Sequence, residues 1–194
     1  MDRLSHISPA AVHEAAAKEY LNEFKEYGSR INGAGGLDRY LPDNYAGWLE
    51  KLAADRVLIP DEERVPAETF FLVRESDGRI VGMVNIRLAL NDDLRKSGGN
   101  VGYAIRPTER RKGYNKINLY LALQCLKKHG IKEALLDCDI KNTASERTML
   151  ALGGQCIEDF YDEEEKCNAR KYLIDIDKAL EKYSHKYEQM ICRQ

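Results

Sequence analysis

A chain of 194 residues is most simply one domain, large enough to bury roughly 70% of its unfolded surface in a single core. Its 30 basic and 32 acidic residues nearly cancel, so no global field recommends nucleic acid or an anionic membrane as partner. Five cysteines, odd in number and without a C-x-x-C pair, argue against a disulfide framework and a zinc site and for a reducing, cytoplasmic setting.

Residues 1–6 lack the apolar core of a signal peptide, and no apolar run approaches the roughly 18 residues a bilayer span needs. Ser8-Pro9 followed by Val12, Ala16, Tyr20, Phe24 and Tyr27 predicts an amphipathic helix packed on a core and ending at Gly28. Asn32-Gly33-Ala34-Gly35-Gly36 is glycine-rich, but no strand precedes it and no Lys-Ser/Thr follows, so it reads as a plain loop. A second helix is predicted over 43–56, with Asp43 as its cap and Trp48, Leu49 and Leu52 turned inward.

From Glu68 the pattern becomes that of strands. Residues 69–74 and 80–87, joined across Asp77-Gly78, predict an antiparallel hairpin. A short helical turn over 90–97 leads to a strand at 101–106, then to Arg110-Arg111-Lys112-Gly113-Tyr114-Asn115, then to an apolar helix over 114–129. A basic turn between strand and helix brings free N–H groups and the positive helix end to one point, which suits a pyrophosphate. A buried strand follows at 133–138, parallel to its predecessor because a helix crosses over between them. Asn142 precedes a short helix over 143–152. Strands at 155–161 and 167–176 flank the acidic bend Asp162-Glu163-Glu164-Glu165, and 177–194 is a further helical segment.

These residues resemble the GCN5-related N-acetyltransferase (GNAT) superfamily. Its Arg/Gln-x-x-Gly-x-Gly/Ala signature is matched by Arg110-x-x-Gly113-x-Asn115, preceded by Ile105-x-Pro107 where the family has Val-x-Pro. Cys138, Asn142 and Leu152-Gly153 fit its second motif at the right separation, and residues 102–114 are similar to a bacterial branch of predicted acetyltransferases. The resemblance covers about 69–176, with the helices of 9–56 and the extension at 177–194 completing a single domain. It implies an α/β (α+β) fold, a twisted, mostly antiparallel mixed sheet splayed between its fourth and fifth strands and flanked by helices. It also implies acetyl-CoA as cosubstrate in the gap. Backbone at Ile105 and Pro107 would pair with the pantetheine arm. Arg110, Arg111, Lys112, Gly113, Tyr114, Asn115 and Lys116 would hold the pyrophosphate, and Asn142 and Ser145 would bond the pantetheine. The implied activity is acetyl transfer to an amine of a small molecule or peptide by direct attack in a ternary complex. A CoA-binding module without catalysis is the alternative, and a homodimer is left open.

Three positions depart from the family's pattern. The usual glutamate base and tyrosine acid fall on Asn100 and Met149, and Asn115 stands where the family has Gly or Ala. A lysine-like amine is neutral in only about one molecule in 2,500 at pH 7, so a proton acceptor is still needed. Asp137 on the fifth strand is the candidate base, and Asn100 a residue that could position a water. Tyr103 and Tyr114 are read first as packing residues, and Cys138 as an inert core thiol. Asn115 adds a Cβ and an amide beside the phosphate, so the sequence predicts weaker acetyl-CoA binding than an alanine there would give.

Overall fold

The computed structural model describes residues 2–61 and 63–192. Its elements run β1 (Leu4–Ile7), α1 (Glu14–Glu26), α2 (Leu37–Tyr40), α3 (Tyr45–Arg56), β2 (Ala67–Arg74), β3 (Ile80–Arg87), α4 (Asp92–Lys96), β4 (Val101–Ile105), α5 (Tyr114–Lys128), β5 (Glu133–Asp139), α6 (Thr143–Leu150), β6 (Gln155–Asp162), β7 (Cys167–Asp175) and α7 (Ile176–Tyr187). Short 3-10 turns at Ala11–His13, Pro107–Glu109 and Glu188–Met190 complete the chain.

The strands form two antiparallel ladders, β1-β2-β3-β4 and β5-β7-β6, and no ladder joins β4 to β5. Alternation along β2 explains how the first sheet buries both faces. Phe71 and Val73 enter a cluster with Tyr20, Phe24, Trp48 and Leu52 of α1 and α3, while Phe70 and Leu72 face the opposite cluster around Leu119, Leu123 and Leu126 of α5. Helix α5 is apolar on several sides because it lies between that sheet, α6 and α7. The Asp77-Gly78 turn closes the hairpin, with Gly78 at φ 67 and its N–H donating to Arg74 O.

Residues 4–7, to which no element is assigned from the sequence, form an edge strand paired with β2. Three local expectations are corrected. Val12 lies in the 3-10 turn ahead of α1 and is 83% exposed, so it is out of phase with the buried stripe, and Tyr27 at the far end is also exposed. Asn44, not Asp43, caps α3, accepting from the Gly47 N–H at 3.0 Å. The C-terminal helix ends at Tyr187, followed by a 3-10 turn whose end pairs back with Leu4.

Candidate active site: a split sheet with a cradle at its end

The separation of β4 from β5 follows from how few groups join them. Asn100 N–H donates to Leu135 O at 2.6 Å, and Asn100 Oδ1 accepts from Leu135 N–H at 2.9 Å. Asn100 Nδ2 also donates to Arg87 O at 3.1 Å, so both ends of this buried carboxamide clasp strands together. Gly99 permits the approach: a Cβ there would lie 2.1 Å from Leu135 O. Beyond this clasp the two strands have no ladder between them.

The antiparallel registers decide which backbone groups face the gap. Arg106 N–H donates to Val81 O and Arg87 N–H to Asn100 O, so residues 102, 104 and 106 and the C=O of Asn100 face β3. Val101 and Tyr103 then present their N–H and C=O to the β5 side, and Ile105 its N–H, the Ile105 C=O accepting from Arg110 Nε. By the same alternation, Ile176 N–H donating to Lys132 O commits residues 134, 136 and 138 to β7, leaving Leu135, Asp137 and Asp139 turned toward β4. Leu135 is taken by Asn100. The walls of the gap are therefore Tyr103 and Ile105 on one side and Asp137 and Asp139 on the other.

At the open end the chain turns through 107–113 into α5. Arg111 and Gly113 have φ 66 and φ 83, and Gly113 is the left-handed residue that begins the helix. Among the described residues the N–H groups from Arg111 to Asn115 have no protein acceptor, whereas Lys116 N–H donates to Gly113 O. Five successive free donors at a helix N-terminus are what a pyrophosphate requires, and a Cβ on Gly113 would stand in open space just there. The residues present fit the phosphate end of acetyl-CoA.

The turn stands on buried ion pairs. Arg106, 2% exposed, donates to Glu23 at 2.5 Å and to Glu19 at 2.6 Å, and Glu23 also accepts from the Thr108 N–H and hydroxyl. Burial alone would raise the Glu23 carboxyl, but the Thr108 N–H, Arg106 and the Thr108 hydroxyl together hold it below the usual range. Glu109 is likewise buried and, against its desolvation, held low by Lys112 and Arg74.

The predicted cradle residues are thus brought together, but not all by their side chains. Arg110 folds back, donating to Ile105 O at 3.2 Å and Ser29 Oγ at 2.6 Å with its guanidinium over Phe24. Lys112 pairs with Glu109 at 2.7 Å, and Tyr114 is buried with its hydroxyl on Asp2 and Arg74. Pro107 opens the 3-10 turn, and Lys116 lies half-buried in the first turn of α5. The Asn115 amide donates to Thr148 Oγ1 at 3.4 Å, tying α5 to α6, and accepts from Asn118 within α5 at 3.5 Å.

Asn142 caps α6, accepting from the Ser145 N–H at 3.1 Å. Ser145 is buried, and its hydroxyl meets that of Tyr103 at 2.8 Å, linking β4 to the helix that follows β5. Burial pushes the Tyr103 hydroxyl well above its usual range and the Cys138 thiol up to about 11, leaving both protonated at neutral pH. The Tyr103 ring packs against the core around α5, as the sequence suggests, while its backbone lies on the gap side of β4. Met149 is fully buried in the core.

Asp137 is half-buried on β5 at the clasp end. Its carboxylate accepts the Gly98 N–H at 2.5 Å. Burial pushes its pKa up, and the nearby Asp162 adds to this, while the Gly98 N–H, Arg87 and Lys171 oppose it. A carboxyl raised in this way beside the α4–β4 loop is suited to accept a proton.

The chain belongs to the acetyltransferase (GNAT) family, whose sequence profile matches residues 35–153. The family consists of acetyl-CoA-dependent acetyltransferases, which makes this protein an acyltransferase with acetyl-CoA as cosubstrate. Solved structures share the fold. RimJ of Mycobacterium smegmatis, in complex with CoA-disulfide, superposes with a TM-score of 0.70 at 13% identity, covering 95% of this chain and 91% of that one. The microcin C7 self-immunity acetyltransferase MccE, in complex with acetyl-CoA and AMP, gives 0.65 at 17% identity over 90% and 93%. RimL, a ribosomal L7/L12 alpha-N-protein acetyltransferase in complex with coenzyme A, gives 0.66 at 13% over 90% and 95%. No curated protein sequence matches the chain significantly. Among the described residues no helix is long and apolar enough to cross a membrane.

Proposed function

We propose that the protein transfers an acetyl group from acetyl-CoA to the amine of a small molecule or peptide, by direct attack in a ternary complex formed in the β4–β5 gap. The observation that carries this is the run of five free N–H groups at Arg111–Asn115, placed where the unpaired edge of β4 ends. In this reading the cradle takes the pyrophosphate, the outward backbone of Tyr103 and Ile105 pairs with the pantetheine, and Ser145 fixes the Tyr103 ring at the wall. Asp137 removes the proton from the incoming ammonium, and Asn100 sets the gap width. RimL and a spermidine N-acetyltransferase, which share the fold, carry a ribosomal protein and spermidine as acceptors in their names, in keeping with an amine acceptor here.

Residues 1–194 act as one domain in this proposal, in a reducing cytoplasm where five unpaired thiols persist. β6 is an edge strand with most of its residues exposed, a surface open to a second copy. The competing reading, a CoA-binding module, is favoured by the burial of Met149 and the engagement of Asn100. Free CoA released from acetyl-CoA over a panel of polyamines, small amines and N-terminal peptides decides between them. Turnover on any amine supports transfer; saturable CoA binding with no turnover across the panel supports the module.

A further inference from the structure

A second group of reactive side chains lies at the other end of α5. Cys125 and His129 are four residues apart, hence on one face of the helix, and Glu68 stands on the β2 face that α5 covers. Cys125 Sγ lies 3.8 Å from Glu68 Oε2, and His129 Nε2 lies 2.9 Å from Glu68 Oε1. All three candidate ligand atoms fall within 4.8 Å of one another. Tetrahedral zinc, with bonds of 2.0–2.3 Å, sets its ligand atoms about 3.3–3.6 Å apart, so each atom needs to move by less than about 1 Å. His129 and Glu68 are 39% and 22% exposed, which gives an ion a path in and leaves a fourth position for water.

We propose that Glu68, Cys125 and His129 form a binding site for zinc or a similar borderline-soft divalent cation, fastening the C-terminal end of α5 to β2. The donor set, one thiolate, one imidazole and one carboxylate, matches zinc rather than magnesium or calcium, which take oxygen ligands. Binding breaks the Cys125 S–H bond and forms an S–metal bond, the proton leaving to solvent. Because the thiol must give up that proton to bind, affinity rises with pH. The 15-residue helix is about 22 Å long, so the site is remote from the phosphate cradle and binds without acetyl-CoA. Cys125 and His129 alone make a local pair, and their third partner lies 57 residues before Cys125, out of reach of any motif.

The test is titration of the reduced full-length protein with cobalt(II), followed by zinc competition. The expected result is one equivalent bound, with a thiolate-to-cobalt charge-transfer band that Cys125→Ser abolishes. Glu68→Gln and His129→Gln, both partly exposed and easily accommodated, should each weaken zinc binding by at least the about 10–100-fold that losing an outer-shell partner causes. Absence of saturable binding, persistence of the band in Cys125→Ser, or unchanged affinity in both other variants would overturn the proposal. In that event the Glu68–His129 pair is a plain clamp.

Discussion

The cradle at the open end of the gap and the clasp at its closed end are built on opposite plans. Under the cradle, charged side chains are consumed by one another: buried Arg106 by buried Glu23 and exposed Glu19, and buried Glu109 by Arg74 and the more exposed Lys112. What remains free is backbone, five N–H groups from Arg111 to Asn115. At the clasp it is backbone that is consumed, by Asn100 and Leu135, and a side chain, Asp137, that keeps an ionisable group close to the α4–β4 loop. In the proposed function, binding falls to groups that cannot change protonation, and proton transfer to one that can.

The sharpest way to break this division is at Asp137. Asp137→Asn keeps an acceptor for the Gly98 N–H but removes the base, and should lower kcat by about 10²–10⁴ while acetyl-CoA affinity, read by calorimetry, stays put. Because burial raises this carboxyl, the acid limb of the native pH–rate profile should have its midpoint above 3.8, activity falling as pH drops through it. Unchanged kcat in the variant would move proton transfer elsewhere.

Next in size is the support under the cradle. Glu23→Ala leaves Arg106 buried with only Glu19 as carboxylate partner, and should destabilise the fold by about 3 kcal/mol in denaturant titration, the low end for breaking a buried pair. The native carboxyl is held low, so its contribution is present above the ordinary value of 4.5 and lost as pH falls below it. A native protein and variant separated by the same stability difference at pH 7 and at pH 3 would contradict the ion-pair account.

The two regions also differ in how far they could be read in the sequence. The cradle is local: strand, proline, glycine and helix follow one another within about a dozen residues, and each leaves a signature that propensity or motif can report. The fold's layers were legible for the same reason, through the period-2 runs at β2 and β3 and the all-round apolar α5. The clasp is assembled from residues 35 apart in sequence, Asn100 and Leu135, and nothing in the identity of an asparagine announces that both ends of its amide will join strands. The same holds for Glu23 under Arg106, 83 residues away, and for β1, which exists as a strand only because β2 offers it an edge. Val12 shows the converse failure, a helical period continued one turn too far into a 3-10 segment.

Gly113 gives a smaller, more local probe. A Cβ there meets no protein atom within 4 Å, so Gly113→Ala should cost only the left-handed backbone penalty, about 1–2 kcal/mol. The added methyl stands where the phosphates are to approach, so acetyl-CoA affinity should fall by more than stability does. An affinity unchanged in a folded variant would show that the ligand does not pass over this turn.

Asn115 separates the two plans at the smallest scale, since it belongs to the cradle by backbone and to the α5–α6 packing by side chain. Removing the amide in Asn115→Ala loses the long bonds to Thr148 and Asn118 but leaves the N–H in place. Asn118 keeps Met83 O and His6 as partners, so the loss should be about 0.5–1 kcal/mol in melting experiments. Acetyl-CoA affinity should stay within about threefold of native, a change under 1 kcal/mol. A clear tightening would mean that the amide does obstruct the phosphate, and a clear loss that it binds it; either would place the side chain in the cradle and end the separation of backbone for binding from side chains for support.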